Sequence, residues 1–263
     1  MELTNDNYYS QEAREHYASF SQFKDFCGTS YYTGCEEMAL KKLKGEYIEE
    51  KSQALLCGSY VDAAFEGTLE QWIEANKDIV YTSRGGKYAH FKKADDAILR
   101  ASQDKLFMQF MDGEKQKILT GEFFGLEWQG KLDVYHDKKC IVDLKYVEDL
   151  YKTFWVKDLG HVTWVEYYGY DMQAAIYQKL VELNTGDKLP YYLAVVDKKE
   201  HPNIEIIQIP QTTIDNALSV IEYQSPRYND VKTGKVEPDR CEKCNYCVDT
   251  KKLVRPIMLD ELI

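Results

Sequence analysis

The chain has 263 residues, 44% of them hydrophobic, and a formal net charge of −11. That length and apolar content suffice for one sizeable core, and the negative balance argues against general polyanion binding, since affinity for a phosphate backbone comes from Lys and Arg. No apolar run reaches the roughly 20 residues of a membrane span and the polar, acidic residues 1–9 do not read as a signal peptide, so a cytoplasmic protein with reduced thiols is expected.

Residues 19–26 read as a helix, with Ser capping candidates ahead of Phe23 and Phe26. Helices are also predicted over 35–44, 52–66 and 69–76, the second of these carrying Leu55, Leu56, Tyr60, Ala63 and Ala64. A polar, Gly-containing loop over 82–86 leads to a helical period over 92–111 through Ala94, Ile98, Leu99, Leu106 and Phe110. The pattern then changes to three strands, over 120–128, 131–135 and 140–145. An aromatic-rich connection over 146–164 carries Lys152, Lys157 and His161. A helix over 166–183, strands over 191–197 and 204–209 and a closing helix over 212–223 follow; 226–239 reads as a polar linker into a cysteine cluster.

This order predicts an α/β chain with a mixed central sheet flanked by helices. It is read as one domain over 1–263, with a helical part at 1–115, an α/β core at 116–225 and a cysteine-bearing tail at 226–263.

The most informative stretch is Gly130-Lys131-Leu132-Asp133-Val134-Tyr135, followed by Ile141-Val142-Asp143-Leu144-Lys145. Alternate strand residues share a face, so Asp143 and Lys145 point the same way. If the strands pair through the turn at 136–139, Asp133 reaches the same place. Two carboxylates and an ammonium converging at a sheet end suit a hard divalent cation and a water beside it, the requirement of metal-assisted phosphodiester hydrolysis. Isolated D-x-K triplets are mostly solvated strand positions, but here the strands are apolar and a buried carboxylate needs a partner. Downstream, Gln173 and Tyr177 form an i, i+4 pair on one helical face; as a bland alternative they pack helix to sheet with polar tips.

The succession G-x-L-D, I-V-D-L-K and Q-x-x-x-Y resembles the PD-(D/E)xK nuclease superfamily. More narrowly, it is similar to RecB/RecE-like exonucleases of the phage exonuclease VIII type. The likeness begins near Ser19-Phe20-Ser21-Gln22-Phe23, passes Gly58-Ser59-Tyr60-Val61-Asp62 and ends at the cysteine cluster. It implies a DNA exonuclease using Mg²⁺ or Mn²⁺, held by Asp133, Asp143 and the carbonyl of Leu144. Lys145 would orient or help deprotonate the attacking water, and Gln173 and Tyr177 would contact the DNA backbone or the groups behind the ligands. Where many relatives carry a His, this chain has Asp62, which can also ligate Mg²⁺. Glu66, one turn on, and Glu122 are weaker candidates. Duplex DNA ends, a single-strand annealing protein and a homo-oligomer are the partners the resemblance implies.

Seven cysteines stand at 27, 35, 57, 140, 241, 244 and 247. Three thiols within seven residues of a cytosolic protein point to a metal, and they need a fourth ligand. Several RecB-like nucleases hold a [4Fe–4S] cluster with one N-terminal and three C-terminal cysteines. By that likeness Cys35 joins Cys241, Cys244 and Cys247. The C-x2-C-x2-C spacing is tighter than usual there, which keeps Zn²⁺ as the alternative. Cys27 is a reserve ligand, and Cys57 and Cys140 are expected to be simply buried.

A catalytically inactive relative that binds DNA or protein, clasped by the cysteine site, is the alternative function. The acidic charge and Asp62 favour it; the intact Asp133, Asp143 and Lys145 oppose it.

Overall fold

The computed structural model describes residues 1–262. Five strands form the central sheet in chain order: Glu114–Phe123, Leu126–His136, Cys140–Val147, Tyr191–Asp197 and Ile204–Gln208. The third and fourth run parallel and every other neighbouring pair antiparallel, so the sheet is mixed. The parallel pair requires a long crossover. Part of it is the helix Tyr170–Thr185, which packs on the first two strands.

Two cores lie against the sheet. Leu132, Ile141, Leu193 and Val195 pack with Met172, Ile176, Leu180 and the helix Gln211–Lys232. Val142, Leu144, Ala194 and Val196 pack with Tyr60, Val61, Phe91 and Phe107 from the helices Gln53–Glu66, Ala89–Ser102 and Lys105–Met111. The odd–even split along Cys140–Val147 and Tyr191–Asp197 is the two-residue strand period expressed as two helix layers.

One strand breaks that period. Leu132 belongs to the first core and Val134 to the second, although residues two apart should share a face. The break falls at Asp133. Opposite it, Gln116 adopts φ +53°, left-handed backbone for a non-glycine residue, and the ladder skips this pair while Lys115↔Val134 and Lys117↔Leu132 are paired.

Several expected boundaries shift. The predicted strands over 120–128 and 131–135 are parts of a hairpin whose turn lies earlier, at Phe124 and Gly125, both at positive φ. Gly130 is inside a strand rather than between two. A Cβ there would stand 2.8 Å from Leu180 Cδ1 and 3.0 Å from Tyr177 Cε1, so its lack of a side chain is what lets the Tyr170–Thr185 helix approach. The helix expected over 92–111 is two helices, the second capped by Asp104, which accepts from Phe107 N at 2.9 Å. The expected linker over 226–239 is helical as far as Lys232. Pro226 removes one backbone donor, but the buried Ser225, Tyr228 and Val231 around it hold the helix on the core. The 146–164 connection contains a hairpin, Thr153–Val156 with Gly160–Thr163.

Candidate active site

Antiparallel pairing between Leu126–His136 and Cys140–Val147 stops at Val134↔Val142. Beyond that point the Leu144 N–H donates to the side chain of Asp133, at 2.9 Å from Oδ2, in place of a strand carbonyl. Two strands that stop pairing leave main-chain groups to be satisfied otherwise. Here a carboxylate does so, and the opening it props apart is where Asp143 stands.

Asp143 is 2% exposed. Its Oδ1 accepts from Gln173 Nε2 at 2.9 Å, and its Oδ2 faces the Lys145 ammonium as an ion pair. That Oδ2 is buried, and the Lys145 ammonium is the partner that compensates it. Lys145 Nζ also lies 4.5 Å from the Tyr170 ring centroid. Burial works against the Lys145 charge, but Asp143, Tyr170 and Asp133 outweigh it and hold the pKa above the usual lysine value.

Asp62 comes from the opposite layer, on Gln53–Glu66, with Glu66 one turn behind. Asp62, Glu66, Asp133, Gln173 and Tyr177 line one cleft of about 760 Å³. Leu144 shares a small hollow with Asp62, Glu66 and Asp133. A second cleft, of about 590 Å³, has Asp62, Leu144, Lys145 and Tyr170 in its walls, so Asp62 stands where the two clefts meet. Burial, with Asp143 and Glu66 adding to it and Lys145 opposing, pushes Asp62 up to about 7. Burial, then Asp143 and Asp62, raises Asp133 well above the ordinary carboxylate value.

Chemically this is a set of hard oxygen donors crowded around one ammonium. Repulsion among buried carboxylates favours protons where no cation is bound, and a divalent ion relieves that repulsion. Asp143 Oδ2, held against the Lys145 ammonium, belongs to the same set of oxygens. The donor set therefore fits Mg²⁺ or Mn²⁺.

Of the residues singled out in the sequence, Asp62, Glu66, Asp133, Asp143, Leu144, Lys145, Gln173 and Tyr177 come together. Glu122 does not: it is exposed and pairs across the hairpin with Glu127, since the early turn carries it away from the open ladder. Tyr8, Tyr9, Lys131, Gln116 and Tyr170 border the clefts without having been singled out. Lys131 was legible in hindsight, two residues before Asp133; the two N-terminal tyrosines carried no local signal.

A second constellation joins the ends of the chain. Cys35, Cys241, Cys244 and Cys247 place their four Sγ atoms within 4.8 Å of one another. Cys35 Sγ is 3.5 Å and Cys241 Sγ 3.9 Å from Cys247 Sγ. Main-chain N–H groups of Lys243 and Cys244 point at Cys241 Sγ, and Cys247 N–H points at Cys244 Sγ. Burial opposes the Cys241 thiolate, but these amides stabilise it and bring its pKa down to about 7. Four thiolates on one ion at about 2.3 Å would stand about 3.8 Å apart, close to the 3.5 and 3.9 Å pairs within a set that spans up to 4.8 Å. In a four-iron cluster each thiolate binds its own iron, so the sulfurs must stand further apart. Cys27 lies outside the set, packed against the first core. Cys57 is buried and Cys140 half-buried. Around the cluster, Arg240 pairs with Glu37, and Arg227 pairs with Glu36 and Asp239.

The fold and these two constellations define a class. Residues 19–250 match the family described as a PDDEXK-like domain of unknown function (DUF3799), and the chain belongs to that family. It is also similar throughout to a solved protein from Eubacterium rectale described as a "Putative exonuclease", at 45% identity and a TM-score of 0.96, covering 100% of this chain and 98% of that one. The structure of SSO0001 aligns at 16% identity over 80% of this chain and 92% of its own, with a TM-score of 0.30, too low to bear on fold or activity. No curated protein matches the chain.

Proposed function

We propose that the chain is a divalent-metal-dependent deoxyribonuclease, and specifically an exonuclease that processes DNA ends. The observation that carries this is the open ladder at Asp133, where three carboxylates, Lys145 and Gln173 converge beside a cleft. Family membership and the likeness to the Eubacterium rectale protein support a nuclease.

Asp133, Asp143 and the Leu144 carbonyl, with Asp62, would hold Mg²⁺ or Mn²⁺, which supplies Lewis-acid activation of water and of the scissile phosphate. Gln173 fixes the rotamer of Asp143 by donating to its Oδ1. Lys145 is held in its ammonium form beside Asp143, suited to orienting the attacking water and balancing charge that grows on the phosphorane oxygens. Tyr177 packs against Gly130 and lines the cleft, suiting it to contact the strand being cut.

The sulfur spacing favours a single tetrahedral ion, Zn²⁺, over a [4Fe–4S] cluster as the occupant of the four-cysteine site. Duplex ends as substrate, a single-strand annealing protein as partner, a homo-oligomer, a phage recombination role and a cytoplasmic location are further parts of this reading. Among the described residues no helix is long and apolar enough to cross a membrane.

The test is incubation of linear and closed-circular duplex DNA with the protein and Mg²⁺, Mn²⁺ or EDTA, beside Lys145→Ala. Metal-dependent loss of linear DNA alone, absent in the variant, is the expected result. No loss of either substrate with any metal favours the inactive binding relative.

A further inference from the structure

We propose that the 760 Å³ cleft takes the leading nucleotides of one unpaired DNA strand, with Tyr9 as a base-stacking platform and Lys131 and Arg14 as its phosphate contacts. This rests on the nuclease reading and names the form in which the substrate reaches the site.

Size argues first. Clefts of about 300–1,000 Å³ bury a drug-sized ligand; 760 Å³ suits a few nucleotides, whereas a duplex needs a broad groove. Charge argues next. Duplex binding draws on many Lys and Arg contacts, and this chain carries a net charge of −11. The cleft offers three cations, Arg14, Lys42 and Lys131. Lys42 is committed to Asp25 and Glu49. Among the described residues, Arg14 and Lys131 form no ion pair. A binder with few cations must gain its affinity from elsewhere, and stacking on aromatic rings is the sequence-tolerant way to do so.

The aromatic surface is built, not incidental. Residues 4–10 form a hydrogen-bonded turn, with Tyr8 N–H donating to Thr4 O at 3.0 Å and Ser10 N–H to Asn7 O at 2.9 Å. Gln129 Nε2 donates to Tyr8 O at 3.3 Å, fastening the turn to the strand that carries Asp133. Tyr8 is 6% exposed and meets Tyr9 edge to face at 4.8 Å between centroids. Tyr9 itself is 61% exposed, although it lines the cleft. Lys131 Nζ lies 4.9 Å from the Tyr9 centroid and 5.5 Å from that of Tyr8. Lys131 also precedes Asp133 by two residues on one strand, and both line this cleft. A phosphate at the Asp133–Asp143 pair would thus have its neighbour near Lys131, and the attached base near Tyr9.

Binding of labelled oligothymidylate and of a blunt duplex hairpin, measured by anisotropy with Ca²⁺ as the metal, tests this. The single strand is expected to bind at least about tenfold more tightly than the duplex. Tyr9→Ala is expected to weaken it by roughly 5- to 150-fold, the range of one stacked base, while Tyr9→Phe keeps it. Lys131→Ala should reduce the slope of log K against log salt by about 0.7. Equal or tighter duplex binding, or unchanged affinity in Tyr9→Ala, overturns the proposal. Hydrolysis of the p-nitrophenyl ester of thymidine monophosphate by the wild-type protein separates the two readings. Hydrolysis without the strand preference sinks this inference alone; no hydrolysis of the ester or of linear DNA with any metal sinks the nuclease, and the Tyr9 variants still decide the platform.

Discussion

The side chain of Asp133 takes the main-chain N–H of Leu144, at 2.9 Å, where the ladder between their strands stops. One carboxylate thereby ends a strand pairing and anchors the segment that carries Asp143 and Lys145. Asp133→Asn offers Leu144 an oxygen but removes a charge from the metal ligands. We expect it to fold, with a melting temperature near the parent's in metal-free buffer, and to lose about 10²-fold or more in cleavage. Thermal melting beside a DNA degradation assay checks both. An unfolded Asp133→Asn would show that the charge, not the hydrogen bond, holds the opening.

The stability of the metal-free protein should fall as pH rises. Burial holds Asp62 up to about 7, with Asp143 and Glu66 adding to it and Lys145 and Lys131 opposing, and burial raises Asp133 in the same sense. Their unfolded values are near 3.9. An acid that binds its proton more tightly in the fold contributes stability below its unfolded pKa and loses it as pH passes its folded one. Between about pH 4 and 7 the loss from Asp62 should therefore accumulate, and Asp62→Asn should flatten it by roughly 1–3 kcal/mol. Mg²⁺ competes with those protons, so its stabilising effect should be larger at pH 8 than at pH 6. Equal Mg²⁺ shifts at both would sink this account.

Lys145 and Asp143 form a buried ion pair, and removing one partner leaves the other charge uncompensated. Lys145→Ala is expected to cost about 3–5 kcal/mol in metal-free protein, with part of it restored by Mg²⁺. Cleavage should fall by about 10²–10⁴ even where the fold is restored. Chemical denaturation with and without Mg²⁺ reads the first effect, and single-turnover cleavage the second.

Gln173→Ala removes the donor to Asp143 Oδ1 without touching a ligand atom. The half-saturating Mg²⁺ concentration should rise by about 10- to 100-fold, with cleavage at saturating metal much closer to the parent's. A lowered plateau with an unchanged midpoint would assign Gln173 to the DNA instead.

How far the sequence could be read follows from which signals are local. Asp143 and Lys145 share a face by strand period alone, and Gln173 and Tyr177 share one by helix period. The period failed at Asp133, because a left-handed Gln116 and an interrupted ladder are properties of a strand pair, invisible in either strand. The expected strands over 120–128 and 131–135 leave Gly130 between them, and only the approaching Leu180 and Tyr177 explain a glycine inside a strand. The expected linker begins at 226, and the packing of Tyr228 and Val231 carries the helix past it to Lys232. Tyr8 and Tyr9 reach the cleft through a turn fastened by Gln129, a contact 121 residues apart in sequence, which no local pattern encodes.

The four-cysteine site is expected to hold the cleft as well as the chain ends. Cys35 immediately precedes the helix Glu36–Leu43, whose Ala39, Lys42 and Leu43 line the 760 Å³ cleft. Its partner Cys247 lies 212 residues further on, so one bound ion closes a very long loop and makes metal binding part of folding. Purified protein should contain about one Zn²⁺ per chain, the number a single four-thiolate site takes, with no iron–sulfur absorption in the visible. Cys247→Ser should lower the melting temperature by roughly 10 °C, a few kcal/mol for a chain of this size. It should also weaken oligonucleotide binding more than hydrolysis of a mononucleotide ester, because the cleft wall loosens while Asp133, Asp143 and Lys145 remain on the sheet. Iron and sulfide in equal amounts would replace the single ion by a cluster. Unchanged melting with no metal of either kind would leave the four thiols as packing alone.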